Sequence, residues 1–437
     1  MGKTQNEGLK RELGISDVAI NVINITIASG IFLLPAIIAG ILGNASIVAY
    51  ILCGLMFLLV ALCYAEVSSR ITTSGGTYTY IEKAFGAYAG FLANSLFWFG
   101  TGVLVAAALI NGIADMLSVP FPIFSIPIYR GLLFLVVFAS CAYINILGGK
   151  KNMTVIKTIT VVKVLPLVLL VIAGLIKIDT NNLHWEAFPA FDKLGAASII
   201  LFFAFAGGET ALNISGEMKN PNRTAPLGLV LGVIILVLFY SLIQIVAQST
   251  LGAGLIHQKA PLAAVAGTLL GSWGTKMLIA CGVIAILGSL YSVVLVFSRV
   301  LFAGANDGIL PGFLSKVHPK YATPHWAIVT LSIIAFLMAV SGGFKQLLIL
   351  ATISILLLYA GVALAVIKFR LKGGAKYPAT FILPGGVVIP VITMVILTWF
   401  LFHSKSNELL AIGMFISLLS IIYLFMIFFA KRVVKNQ

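Results

Sequence analysis

Residues 25–35 read ITIASGIFLLP and lie inside an apolar run near the start of the chain. A helix crossing a bilayer gains nothing from Ser29 and Gly30 in its middle, or from Pro35 a turn and a half later. Such residues loosen backbone hydrogen bonds where no water replaces them. The rest of the chain says that this run does cross a bilayer. Of 437 residues, 60% are hydrophobic and 9% charged, with mean hydropathy +1.11, the composition of a multi-span membrane protein. Apolar runs of about 20 residues, the length that spans a hydrocarbon core as helix, recur along nearly the whole length. The polar first 14 residues are unlike the short basic lead of a cleaved signal peptide, so the first span is read as retained.

The net charge of +15 does not point to nucleic acid, because the basic residues fall in short loops and not in a stripe with interleaved aromatics. Cys53, Cys63, Cys141 and Cys281 lie within apolar spans, and the five histidines show no ligand spacing, so no metal and no cofactor is expected. Twelve spans are read at 15–42, 45–68, 87–118, 127–147, 153–176, 194–217, 224–250, 274–305, 324–341, 344–370, 380–403 and 407–430. Two further stretches, 72–86 and 258–272, read as partly inserted helices. With the N-terminus inside, 20 Lys and Arg fall at inner ends and 7 at outer ends, which places both termini in the cytoplasm.

The sixth span, LGAASIILFFAFAGGETALNISGEM, is broken in its turn around Ala206, Gly207 and Gly208. The two broken spans start about 180 residues apart and each opens a set of five, so the second set is inverted, the arrangement that marks a transporter's central site. This divides the chain into a cytoplasmic segment (1–14), two inverted five-helix repeats (15–176 and 194–370), two further helices (380–430) and a tail (431–437). Half-helix N-termini offer N–H groups to an anion and half-helix C-termini offer carbonyls to a cation. A zwitterion such as an α-amino acid meets both needs at once.

Four ordered motifs carry a family resemblance: IASGIF; YAEVSSRITTSGGTYTYIEKAFG at 64–86; FFAFAGGETALNISGEMKNPNRTAP at 202–226; and ANDGILPGFLSKVHPKYATP at 305–324. Together they resemble the amino acid–polyamine–organocation superfamily over nearly the whole chain, with Ala28 in place of the first glycine of the GSGIF signature. The resemblance implies an all-α integral membrane protein of 12 transmembrane helices. These form a leucine-transporter-like 5+5 inverted repeat with broken helices 1 and 6, plus two C-terminal helices. It implies that amides of Ser29, Gly30 and Ile31 meet a substrate carboxylate. Carbonyls near Thr26, Ile27 and Ala28, and near Phe203, Ala206 and Gly207, would take its ammonium, with Phe203 as an aromatic lid. Val293 stands where arginine/agmatine exchangers have tryptophan, a departure that weakens that reading.

Lys163 lies about 10 residues into the fifth span, roughly 15 Å deep at 1.5 Å per residue, and intramembrane lysines default to function. By the resemblance it ties span five to the unwound first helix, where sodium-coupled relatives hold a cation, and it is a candidate for proton coupling. The resemblance likewise implies that Glu209 is a brace for the second break or a protonation-linked gate. Glu66, Glu82 and Asp115 read as solvated or N–H-capped carboxylates near span ends. Asn111 and Asp115 share a helix face, and Glu217, Asn220, Pro221 and Arg223 form an inner loop that shapes a turn and gate.

The leading function is a sodium-independent secondary carrier of amino acids, with neutral side chains favoured because Phe203, Ala206 and Val293 are apolar. Proton symport, exchange and uniport remain open, as does an antiporter of a cationic amino acid and its amine product. An ion channel would want a lined polar pore. An enzyme would want a nucleophile, base or metal cluster, and none is visible. The expected partners are the substrate, protons in the coupled case and the lipid bilayer, with no nucleic acid. The expected location is a bacterial inner membrane, as monomer or homodimer.

Overall fold

The computed structural model describes residues 13–71, 77–147, 151–185, 187–308, 310–373 and 377–435. Most of the N-terminal segment, the SGG of the 64–86 motif and the last two residues of the tail lie outside them, as does the side chain of Glu217.

The first span is two helices, α1 (Ile15–Thr26) and α2 (Ser29–Leu42). Gly43, at φ 58°, turns the chain into α3 (Ile47–Arg70). There follow α4 (Thr77–Phe85), α5 (Ala87–Leu96), a π-helical segment Phe97–Leu104, α6 (Val105–Leu117), α7 (Pro127–Leu147) and α8 (Lys151–Ile176). The second half holds α9 (Phe191–Phe202), a 3-10 segment Gly208–Glu217, α10 (Pro221–Leu251) and α11 (Pro261–Asn306). It ends with α12 (His325–Ser341), α13 (Phe344–Lys368), α14 (Val388–Phe402) and α15 (Ser406–Lys435). Among the described residues, seven stretches are long and apolar enough to cross a membrane, and Ile15–Thr26, Lys163–Ile176, His325–Ser341 and Val388–Phe402 are shorter apolar helices. The stretches read from the sequence overlap these helices, but the eleventh begins at Val388 and not at 380, and the sixth is interrupted by turns at 203–207. The two short helices expected between spans are also present: α4, and the start of α11, which Gly271 at φ 76° separates from the rest.

Small residues decide how closely the helices pack. Gly228 and Gly232, four apart on α10, face Val18 and Val22 of α1, where an added Cβ would come within 2.6 and 2.8 Å. This is the small-xxx-small geometry that lets backbones approach in a membrane. Gly54 of α3 receives Val237 of α10 in the same way. The π-helical segment widens where Gly100 meets Ser354 and Gly102 meets Phe297. Between these contacts Tyr50, Phe57, Phe202, Phe205 and Phe400 are fully buried. Large apolar side chains of α7, α14 and α15 (Val136, Val395, Met414, Phe425) face outward, as lipid requires.

Two charged clusters correct the reading of span-end carboxylates. Glu66 is not solvated but fully buried. It accepts from Arg70 at 2.8 Å, from Arg370 at the end of α13, and from the Leu383 amide at 3.1 Å. Arg70 and Arg370 also reach the carbonyls of Tyr377 and Leu383, both at 3.0 Å. A carboxylate off a bilayer surface needs such partners to stay charged. Asp115 pairs with Arg130 at 2.7 Å, and that guanidinium also takes Asn111 Oδ1 at 2.7 Å, so the i, i+4 pair on α6 has a structural partner in α7.

Candidate functional site

The run Asn24-Ile25-Thr26-Ile27 is rich in β-branched residues, which strain a helix. Thr26 Oγ1 bonds back to the Val22 carbonyl at 2.7 Å. Helix α1 stops there. Ile27 (ψ 95°) and Ala28 (φ −132°, ψ −146°) are the unwound residues. The break therefore falls just before Ser29 and Gly30, which were expected to make it and instead form the first turn of α2. That places the Ser29, Gly30 and Ile31 amides at the first three helical positions, where no carbonyl within the helix reaches them. Ala28 occupies the N-cap and has no side-chain oxygen to bind them. The Ser29 hydroxyl is fully buried without a partner among the described residues.

The second break opens at Phe203, three residues earlier than Ala206. α9 ends at Phe202, residues 203–207 form turns, and the chain resumes as a 3-10 segment. Gly207 adopts φ 102°, a left-handed conformation that suits glycine. Glu209 Oε2 accepts the Gly207 amide at 2.9 Å, and Thr210 Oγ1 donates to its carbonyl at 2.6 Å. Phe203 is buried and Ala206 half-buried. Val293 is partly buried on α11.

The two breaks touch. A Cβ on Gly30 would lie 2.7 Å from that of Ala204, and one on Gly208 would lie 2.8 Å from Thr26 Oγ1. Before α1 and after the second break, Leu13 bridges to Met218, and the Lys219 amide donates to the Leu13 carbonyl at 3.0 Å. Lys163 is 6% exposed, and its Nζ donates to the carbonyls of Asn24 at 2.6 Å and Ile27 at 2.9 Å. A cation thus sits on the C-terminal carbonyls of α1, where the helix dipole favours it. Tyr240 of α10 reaches the Thr26 carbonyl at 3.0 Å and the Ala204 carbonyl at 3.1 Å. The carbonyls of Thr26 and Ile27, expected to face a substrate ammonium, thus already accept internal donors.

Tyr240 and Asn24 escaped the sequence reading. The signal available was a polar stripe at four-residue spacing in an apolar span, Tyr240, Gln244 and Gln248. Asn24 acts through its backbone, which carries no side-chain signature. Among the described residues no group of three or more His, Cys, Asp or Glu is placed to hold a metal ion.

A family model for amino acid permeases matches residues 13–437. The chain belongs to the amino acid permease family. This permease is 27% identical to the branched-chain amino acid permease BcaP of Bacillus subtilis (strain 168) over 416 residues, 88% of this chain and 86% of the relative. It is 30% identical to the serine/threonine exchanger SteT of the same organism over 387 residues, 85% and 86% of the two chains. It is also 26% identical to that organism's methylthioribose transporter over 451 residues, 96% and 94%. The permease is thus a multi-pass membrane protein of a transporter family, with small-molecule amino acids as the family's substrates.

Proposed function

We propose that this permease is a secondary transporter of amino acids with neutral side chains, working by alternating access around the two breaks. It is sodium-independent, and driven by proton coupling or by exchange. One observation carries the reading: the open first turn of α2, with the unpartnered Ser29 hydroxyl, lies against the second break. A substrate carboxylate at the amides of Ser29, Gly30 and Ile31 would replace the missing N-cap oxygen. Tyr240 and Lys163 already hold the α1 carbonyls, so the ammonium falls to the α9 side, near the carbonyls of Phe203 and Ala206.

A neutral side chain is favoured because Glu209 turns back onto the Gly207 amide and offers no free carboxylate to a cationic one. That contact also makes Glu209 a brace of the second break. The Lys163 ammonium on the Asn24 and Ile27 carbonyls supports sodium independence, since it supplies the positive charge a bound ion would bring there. The two broken spans open α1–α8 and α9–α13 as inverted repeats, with both termini in the cytoplasm of a bacterial inner membrane.

The test is counter-flow of the common amino acids in proteoliposomes under an imposed pH gradient, with and without sodium. Uptake of small or branched neutral amino acids at equal rates in both media is expected. Movement of no amino acid, or a strict sodium requirement, overturns the reading. Lys163→Ala with ordinary rate and ordinary pH dependence removes the coupling role.

A further inference from the structure

Tyr240, Gln244 and Gln248 stand one turn apart on α10 and are buried, at 0%, 1% and 4% exposure. At 1.5 Å per residue each step climbs about 6 Å. At the top, Gln248 Nε2 donates to Asn44 Oδ1 at 2.7 Å, and Asn44 Nδ2 donates to the His184 carbonyl at 2.7 Å. In the middle, the Tyr50 hydroxyl of α3 donates to Gln244 Oε1 at 3.1 Å. Gln244 Nε2 and Gln248 Oε1 are buried without partners among the described residues. One is a donor and the other an acceptor one turn above it.

At the bottom stands Tyr240, whose hydroxyl lies within hydrogen-bond distance of a carbonyl at each break, that of Thr26 at the end of α1 and that of Ala204 in the turns after α9. A hydroxyl has one proton, so it donates to Thr26 or to Ala204 at any instant, not to both. Its ring packs on Phe205 of the second segment, with centroids 5.2 Å apart, so the ring stays seated while the hydroxyl changes acceptor. Moving the first segment relative to the second strands one of these buried carbonyls unless a donor follows it.

We propose that Tyr240 is a positioning residue of the transport cycle. Its hydroxyl passes between the Thr26 and Ala204 carbonyls as the two broken segments shift, while the hydrogen bonds of Gln244 to Tyr50 and of Gln248 to Asn44 keep α10 fixed behind it. The role in transport rests on the carrier reading above, and the hydroxyl's sharing between two segments does not. Losing the hydroxyl raises the barrier between conformations more than it changes substrate binding in either one.

Tyr240→Phe keeps the ring and removes only the hydroxyl. With radiolabelled L-threonine and L-leucine as probes in proteoliposomes, its maximal exchange rate is expected to fall about tenfold while KM stays within about twofold. Hydrogen–deuterium exchange of peptides covering 25–31 and 203–208 is expected to rise about tenfold, with the other peptides unchanged. Gln244→Leu, which removes the next rung, is expected to lower the maximal rate about threefold. Tyr88→Phe loses only a 2.7 Å bond to Ser420 far along the chain and serves as the unchanged control.

A wild-type maximal rate in Tyr240→Phe overturns the proposal. So does a rise in exchange spread evenly over the chain, which marks a merely structural role. If wild-type protein moves neither probe, the carrier reading fails for these substrates, and the exchange measurement alone decides the case for Tyr240. If Tyr240→Phe does not fold, Gln244→Leu decides it, and wild-type values there overturn the proposal.

Discussion

Gly30 shows how much one residue carries. As half of a Gly–Ser pair in an apolar run it reads as a helix breaker, yet it lies in the first turn of α2 with Ala204 against its Cα. A side chain there would push the two breaks apart. Gly30→Ala is expected to cost about 1–3 kcal/mol through overpacking and to lower uptake at least about tenfold. Ala204→Gly in the same protein is expected to restore part of both, because it removes the nearer clashing atom. Initial-rate uptake and thermal midpoints of the purified variants check this, and an additive double variant would separate the two positions. Ala28 at the N-cap, like the glycine of the family signature, has no side-chain oxygen and leaves the amides of α2 open, so the departure itself has no structural explanation.

Among the elements, the C-terminal ends of α3 and α13 are held by one buried carboxylate. Glu66 joins two arginines and the Leu383 amide, and so fixes the segment that leads into α14. Breaking a buried ion pair from one side costs about 3–5 kcal/mol, because the remaining charges lose their partner. Glu66→Gln is therefore expected to lower the thermal midpoint of the purified permease and its yield, more than Glu82→Gln does. Equal midpoints for the two variants would show that the arginines find other acceptors.

For the whole molecule, the asymmetry of Lys and Arg predicts sidedness. Cys53, Cys63, Cys141 and Cys281 are all buried, so an introduced surface cysteine is read against a low background. Lys177→Cys is expected to react with a membrane-impermeant maleimide applied outside intact cells, and exposed Lys320→Cys only after the membrane is opened. Labelling in the reverse order would invert the orientation.

The sequence by itself determined the membrane class, the helical framework, the two interruptions and the family. Each follows from local properties: hydropathy over a span, glycine and proline at one position, or a short motif. The intramembrane Lys163 was legible in the same way, because a charge deep in an apolar span must find partners. Which partners it finds was a matter for the tertiary structure. The Ile27 carbonyl lies 136 residues from Lys163, and Tyr240 reaches the Thr26 carbonyl across 214. The tertiary structure also moved the first break to Ile27 and Ala28 and took Glu66 out of solvent. Buried polar groups must be satisfied wherever the packed helices bring a donor to an acceptor, and backbone carbonyls carry no signature in a sequence.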